Sequence, residues 1–450
     1  MPKQLHLAAA MIFTAAGCTS DPGLGASEHE LTCPVPAIDP ARSLAVTDST
    51  ALARFSFQRV MDAIVASANA TNSSLAAYQA WMSTFAACLD PAIDPNGYGI
   101  ACPRVELELG LINPFLAIGP RFVPVALTNR FDLAPSSGSD CGEYRIVYAL
   151  VDSLLDRALL IFEGRLPNPT PAAGLAGCTP VADFWASLSA DPSAASRAAK
   201  LEQLYFTGLS SGGVTFAPVV RAQSFGLAAD GSATAPGQIR TNMFVKALEW
   251  QLREFKLAKP CAQAASCALS FRHVTVKTNP ANELFAGTHA NAPAFQAEFV
   301  TQVGALSSSD LNTISMSTSD SFNEFESVSQ RTDVVYKGFA TAQLRTQIQG
   351  AITSPALTVD NILDRATTQT CGGCHQQSNN VNLGGGVTWP GSLGFVHIDE
   401  NKNLSAALTQ KFLPHRAAVL GSFLDAQCGG AAPAPVAGRT VSGAALGSPN

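Results

Sequence analysis

Charge is scarce in this 450-residue sequence: Asp, Glu, Lys and Arg together make 14% of it, against 47% hydrophobic residues. No cluster of Lys and Arg occurs, and the formal net charge is −6. A phosphate backbone needs a basic patch, so nucleic acid is excluded as a partner. Beyond the N-terminus no apolar run reaches the roughly 18 residues that a spanning helix requires, so the mature chain is not expected to cross a bilayer. Also missing are a phosphate loop, a dinucleotide glycine pattern and an H-E-x-x-H zinc helix. What is present is the apolar content of a folded chain, long enough for two to three domain-sized units and too hydrophobic for disorder.

The N-terminus reads as an export signal over residues 1–17. Lys3 gives a positive charge, Leu5 to Ala16 form a short apolar run, and the small residues Ala15-Ala16-Gly17 precede Cys18. Small residues before a cysteine resemble the lipobox of bacterial lipoproteins. That resemblance implies acylation of Cys18, the lipid bilayer as a partner, and a place in the cell envelope, at the outer membrane or the periplasmic face. The alternative is a plain signal peptide in which Cys18 is incidental. Residues 18–45, rich in Pro, Gly, Ser and Ala, read as a tether, and the Ala/Pro/Gly/Ser stretch 429–450 as a disordered tail.

Export makes the cysteine count informative. Of eleven cysteines, setting aside Cys18, Cys371 and Cys374 leaves an even number, which four disulfides would close in any of 105 ways. Sequence proximity favours Cys261–Cys267 and Cys88–Cys102, then Cys141–Cys178, with Cys33–Cys428 left by elimination. A bridge between Cys371 and Cys374 would close the count equally well.

The periodicity predicts an α+β fold: a mixed body over residues 46–352, with an antiparallel sheet and flanking helices, followed by a small all-α segment over 355–428. Asp48 is an expected N-cap for a helix to about Ala66, and a second helix is expected over Ser74 to Ala86. Phe122 to Leu127, Tyr144 to Val151 and Ala158 to Leu166 have strand composition, as do Gln238 to Val245, Trp250 to Leu257 and Leu269 to Thr278. Helix is expected from Val181 to about Phe206, over Ala294 to Leu306, Ala340 to Ile352 and Leu357 to Thr370, and again across residues 404–426.

The strongest chemical signal is Cys371-Gly372-Gly373-Cys374-His375. Two thiols one helical turn apart reach the two vinyl groups on one porphyrin edge, and the adjacent imidazole swings beneath the iron, which makes this spacing the c-type haem attachment pattern. Three other uses of the same residues stay open: a redox-active Cys-x-x-Cys pair, a zinc site of Cys371, Cys374, His375 and His397, and a structural disulfide with His375 as bystander. No Met follows His375, the nearest being Met316 upstream. His397 and His415 are therefore the candidate second axial ligands, each equally readable as a non-ligating histidine. Gly208-Leu209-Ser210-Ser211-Gly212 fits G-x-S-x-G, but the residues after it do not read as the helix that a nucleophile elbow needs. His273 and His289 would complete a triad only on paper. Arg130, Asp132 and Glu143 read as hydrogen-bonding residues at sheet ends.

The helix before the motif and the helix near the chain's end resemble the packed terminal helices of small c-type cytochromes. Taken whole, the chain resembles bacterial envelope lipoproteins that end in such a CxxCH segment. The resemblance covers about residues 355–428 and carries over only Cys371, Cys374 and His375. It implies covalent haem c, electron transfer at the envelope and a redox partner protein. An alternative is a haem enzyme, peroxidase- or oxygenase-like, with an open iron position. Another is a non-enzymatic, disulfide-stapled surface binding protein.

Overall fold

The computed structural model describes residues 31–87, 95–98, 106–153, 157–245, 249–261, 267–330 and 332–429. The expectations for Cys18, for the tail from residue 430 onward and for the Cys88–Cys102 pair fall outside them. Its centre is an antiparallel sheet of eight strands. In chain order the strands are β1 (Ala45–Val46), β2 (Arg121–Arg130), β3 (Asp140–Val151), β4 (Ala158–Pro167), β5 (Leu209–Ser211), β6 (Val214–Phe216), β7 (Gln238–Val245), β8 (Glu249–Ala258), β9 (Ser270–Val274) and β10 (Ser327–Val328). The sheet runs β1-β2-β3-β4-β7-β8, and β9 and β10 both pair with β8. β5 and β6 form a separate hairpin. The mixed α+β class and the six long strands agree with the expectation from periodicity.

Period-2 alternation gives the sheet two unlike faces. On one, Tyr148, Phe162 and Phe255 meet helices Phe57–Ser67 and Ser74–Ser83, with ring contacts Phe57–Tyr148 at 5.2 Å and Trp81–Phe255 at 5.6 Å. Trp81 also stacks on Phe271 of β9 at 4.4 Å. Trp185, from helix Thr179–Ala190, stacks on Tyr144 at 5.7 Å. Burying such aromatic area is worth roughly 1.5–3 kcal/mol per side chain, which makes this face the main core.

Two expected helices are each broken in two. Asp48 caps only Ser49–Leu52, after which Ser56 accepts from Arg59 N and starts Phe57–Ser67. The stretch 181–206 divides at Asp191, which precedes Pro192 and is held extended, because the proline ring disfavours helical backbone in the residue before it. Ser193 then caps Ala194–Phe206.

The C-terminal region is woven into the rest. Helix Val359–Thr367 packs against Ala342–Ala351 and Val303–Leu306, in a second core with Phe285, Phe299, Tyr336 and Trp389. Helix Leu413–Gln427 instead packs against Thr179–Ala190, places Phe423 on Phe131 at 4.8 Å, and is tied at Cys428 to Cys33. The two helices that flank the motif thus serve different cores. Cys141–Cys178 and Cys261–Cys267 are also bridged, which agrees with the expected pairing.

Candidate functional site

The motif lies where the two cores meet: Cys371 packs against the sheet core and Cys374 against the second. Its backbone passes so close to its neighbours that both intervening positions require glycine. A Cβ on Gly372 would stand 2.7 Å from the Val328 carbonyl oxygen on β10. Gly372 N donates to Ser327 Oγ (2.8 Å) and Gly373 N to Thr370 Oγ1 (2.9 Å), which docks the motif on the sheet edge. From Gly373 to Gln377 the helix widens into a π-turn, a distortion frequent at functional sites.

Cys371 and Cys374 remain thiols, while the six other described cysteines are bridged. Burial pushes the Cys371 thiol up to about 12, with the Arg240 guanidinium pulling the other way. A redox-active Cys-x-x-Cys pair depends on a depressed thiol, the opposite of this. His375 Nδ1 lies 2.7 Å from the Phe395 carbonyl oxygen. A carbonyl only accepts, so Nδ1 carries the proton and Nε2 is left with its lone pair, the tautomer a metal-ligating imidazole adopts. Burial lowers His375 to about 4, and Arg240 and Arg145 add to the effect, so the ring is neutral at pH 7.

His397 sits beside this group, its Nε2 at 3.3 Å from Cys374 Sγ and its Nδ1 at 2.9 Å from Ser405 Oγ. Its ring centre is 4.6 Å from that of His375. Two imidazoles bracketing one metal, each about 2.0 Å from it, would hold their ring centres roughly 6 Å apart. Among the described residues no three His, Cys, Asp or Glu side chains are arranged to hold a bare metal ion, so the four-ligand zinc alternative lacks its geometry.

Cys371, Cys374, His375, His397 and His415 all line one cavity of about 260 Å3, and Met316 lines it too. Its opposite wall is the second face of the sheet, which sequence reasoning missed. Register aligns Thr128, Arg145, Glu163 and Gln238 across four strands, and Arg240 with Glu254 across the next pair. Glu163 bridges Arg145 (3.1 Å) and Arg240 (3.2 Å), while Arg240 also meets Glu254 (2.8 Å) and Arg145 meets Glu143 (2.6 Å). Burial opposes charge on Glu143, but Arg145 and Arg165 outweigh it and hold the carboxyl well below its usual range. Lys277 donates to Gln238 Oε1, and burial lowers its ammonium. Asn242 Oδ1 and Thr128 Oγ1, both buried and in the cavity wall, meet no hydrogen-bond partner among the described residues. The available signal was polar and charged residues recurring at period 2 in Glu143-x-Arg145, Glu163-x-Arg165 and Gln238-x-Arg240-x-Asn242.

Arg130, Asp132 and Glu143, read from sequence as hydrogen bonders at sheet ends, line the same cavity. The G-x-S-x-G stretch forms the β5–β6 hairpin, where exposed Ser210 pairs with Thr215 Oγ1 at 3.2 Å. No nucleophile elbow is built there, because a strand rather than a helix follows. His273 is elsewhere, against Thr84 and Phe85, and His289 lies against Tyr98. No known protein family matches the chain, and no similar protein was found among curated proteins or solved structures.

Proposed function

We propose that the chain is a c-type haem protein of the bacterial envelope, anchored through acylated Cys18, that passes electrons to a partner protein. Cys371 and Cys374 would hold the porphyrin by thioether bonds and His375 would ligate the iron. The observation that carries the reading is the His375–Phe395 hydrogen bond beside two retained thiols on one cavity wall. It fixes the tautomer a proximal ligand needs, in a chain whose other described cysteines are oxidised. The cofactor supplies one-electron chemistry. The chain orients the imidazole, encloses the site and sets its electrostatics with the Arg145–Glu163–Arg240–Glu254 array. In this reading residues 355–428 are the haem-bearing segment, built into the body. His397 and His415 stay candidates for the second axial position, His397 only after its ring moves away from His375. Bis-His ligation would lower the potential relative to Met/His.

The polar sheet wall favours a second reading, a haem enzyme with an accessible iron position. Asn242 Oδ1 and Thr128 Oγ1, which meet no partner among the described residues, are the specific observation behind it. Both readings are tested by expression with a cytochrome c maturation system and a pyridine haemochrome spectrum. A c-type spectrum is expected, and a colourless protein overturns both. Carbon monoxide added to the ferrous form then separates them: an unshifted spectrum supports electron transfer, and a shifted one supports the enzyme.

A further inference from the structure

Leu111, Leu116 and Ile118 are 86%, 56% and 87% exposed, and among the described residues they are the large apolar side chains left open to solvent. All three belong to the loop that leads from helix Glu106–Leu109 into β2, a stretch with no charged residue from Leu109 to Pro120. The loop is held by its inward side chains: Ile112 and Phe115 pack on the sheet core, with Phe115 5.5 Å from Phe57, and the Tyr78 hydroxyl donates to the Leu109 carbonyl oxygen (2.9 Å). Much of its backbone is bonded locally. Gly110 N donates to Leu107 O (3.1 Å), Leu111 N to Glu108 O (3.2 Å), Ile112 N to Leu109 O (3.3 Å) and Leu116 N to Asn113 O (3.4 Å), while Phe115 N donates to Asn113 Oδ1 (3.1 Å). Pro114 and Pro120 have no N–H to satisfy. Charge returns only at the base, with Glu108 before the loop and Arg121 after it, where Arg121 pairs with Asp152 and donates to Gly119 O (3.2 Å).

We propose that this loop is a second, non-covalent membrane contact, which dips Leu111, Leu116 and Ile118 into the interface of a phospholipid bilayer. It rests on the reading of Cys18 as a lipid anchor. Aliphatic side chains gain by leaving water for the acyl boundary, whereas a charge or an unbonded backbone N–H is penalised there, so an uncharged loop that bonds much of its own backbone suits lipid. A protein partner fits less well, because a stable interface takes roughly 20–30 residues a side with aromatic or Arg anchors. The exposed large apolar side chains here are three, all aliphatic. The anchor lies within reach. Thr32 N donates to Asp183 Oδ1 (3.3 Å), on the helix whose Trp185 stacks on Tyr144. Arg121, at the base of the loop, pairs with Val151, which lies about 23 Å from Tyr144 along β3. Twelve residues separate Cys18 from Leu31, enough to span up to about 45 Å, so lipid at Cys18 and the tip of the loop can meet one bilayer. Glu108, Arg121 and Asp152 give the base no excess of positive charge, so apolar insertion rather than attraction to anionic lipid supplies the contact.

The test uses the acylated full chain in phosphatidylcholine vesicles, with a photoactivatable aliphatic diazirine side chain installed at position 111, 116 or 118, or in place of exposed Ser210 as background. Adducts formed on illumination are identified by mass spectrometry. Phospholipid adducts at the three loop positions are expected to exceed those at position 210 by about tenfold or more. L116E/I118E is expected to abolish the excess at position 111 while the chain still sediments with the vesicles through Cys18. Both substituted residues are exposed, so the variant keeps the fold. Adducts to a second copy of the chain, or phospholipid adducts no more frequent than at position 210, overturn the proposal while leaving the anchor reading standing. Adducts confined to another protein, when the same chain is illuminated in native envelope membranes, do likewise. A chain recovered without acyl groups at Cys18 overturns both.

Discussion

A Cβ placed on Gly373 would stand 1.8 Å from the carbonyl oxygen of Thr367, the last residue of the helix that leads into the motif. The close approach lets the chain turn from that helix into the π-turn that aims Cys374 and His375. Gly373→Ala must push the backbone apart, at about 1–3 kcal/mol or more. The expected outcome is a lower Tm with faster alkylation of Cys374; an unchanged Tm contradicts the packing described.

Arg365 is a second point of dependence. Its guanidinium donates to the carbonyls of Leu383 (2.8 Å), Leu306 (2.8 Å), Ser308 (2.7 Å) and Gly384 (3.2 Å), clamping the loop after the motif onto the second core. Arg365→Met leaves those acceptors unsatisfied and is expected to cost about 3–5 kcal/mol by urea unfolding. Arg365→Lys keeps the charge but not the planar fork, so it should recover only part of the loss.

Asp132 makes stability acid-sensitive. Burial opposes its ionisation, but Arg130 and Arg416 outweigh that and lower it from 3.8 to about 2. A depressed folded pKa gives stability that is complete above the unfolded value and is lost as pH falls through the folded one. The interval is pH 4 to 2 and the size about 2.5 kcal/mol. The stability difference between wild type and Asp132→Asn should shrink across that interval; a constant difference would count against the Arg130 pairing.

His375 acts at milder pH in the haem-free protein. Its folded pKa of about 4 lies below its ordinary 6.5, so above pH 6.5 both states are neutral and nothing is lost. Between 6.5 and 4 the unfolded chain takes up a proton that the folded chain refuses, and stability falls as pH drops, by at most about 3 kcal/mol. His375→Gln should flatten that slope, as followed by urea midpoints from pH 7 to 4.

Much of the fold was legible from local pattern. Strand runs such as Tyr144 to Val151 show aromatic and β-branched composition, and the motif declares itself by spacing. The breaks at Ala53 and Asp191 were harder, because helical periodicity continues across both and only the capping serines and Pro192 interrupt it. The charged cavity wall was legible only as a period-2 recurrence of polar residues within single strands, and its pairing was not. Arg145, Glu163, Arg240 and Glu254 come together only through antiparallel register between strands tens of residues apart, and no local period encodes that pairing. The expected pairing of the two C-terminal helices failed likewise: each has an apolar stripe, but a stripe does not name its partner, and the body supplied two.

The central claim concerns two sulfur atoms. Mass spectrometry of the denatured, unreduced protein after expression with a cytochrome c maturation system reads their state directly. The account predicts that the proteolytic peptide spanning Cys371 to His375 carries one porphyrin and that Cys371→Ala/Cys374→Ala carries none. A wild-type peptide recovered with both sulfurs as thiols, or bridged to each other, would contradict it.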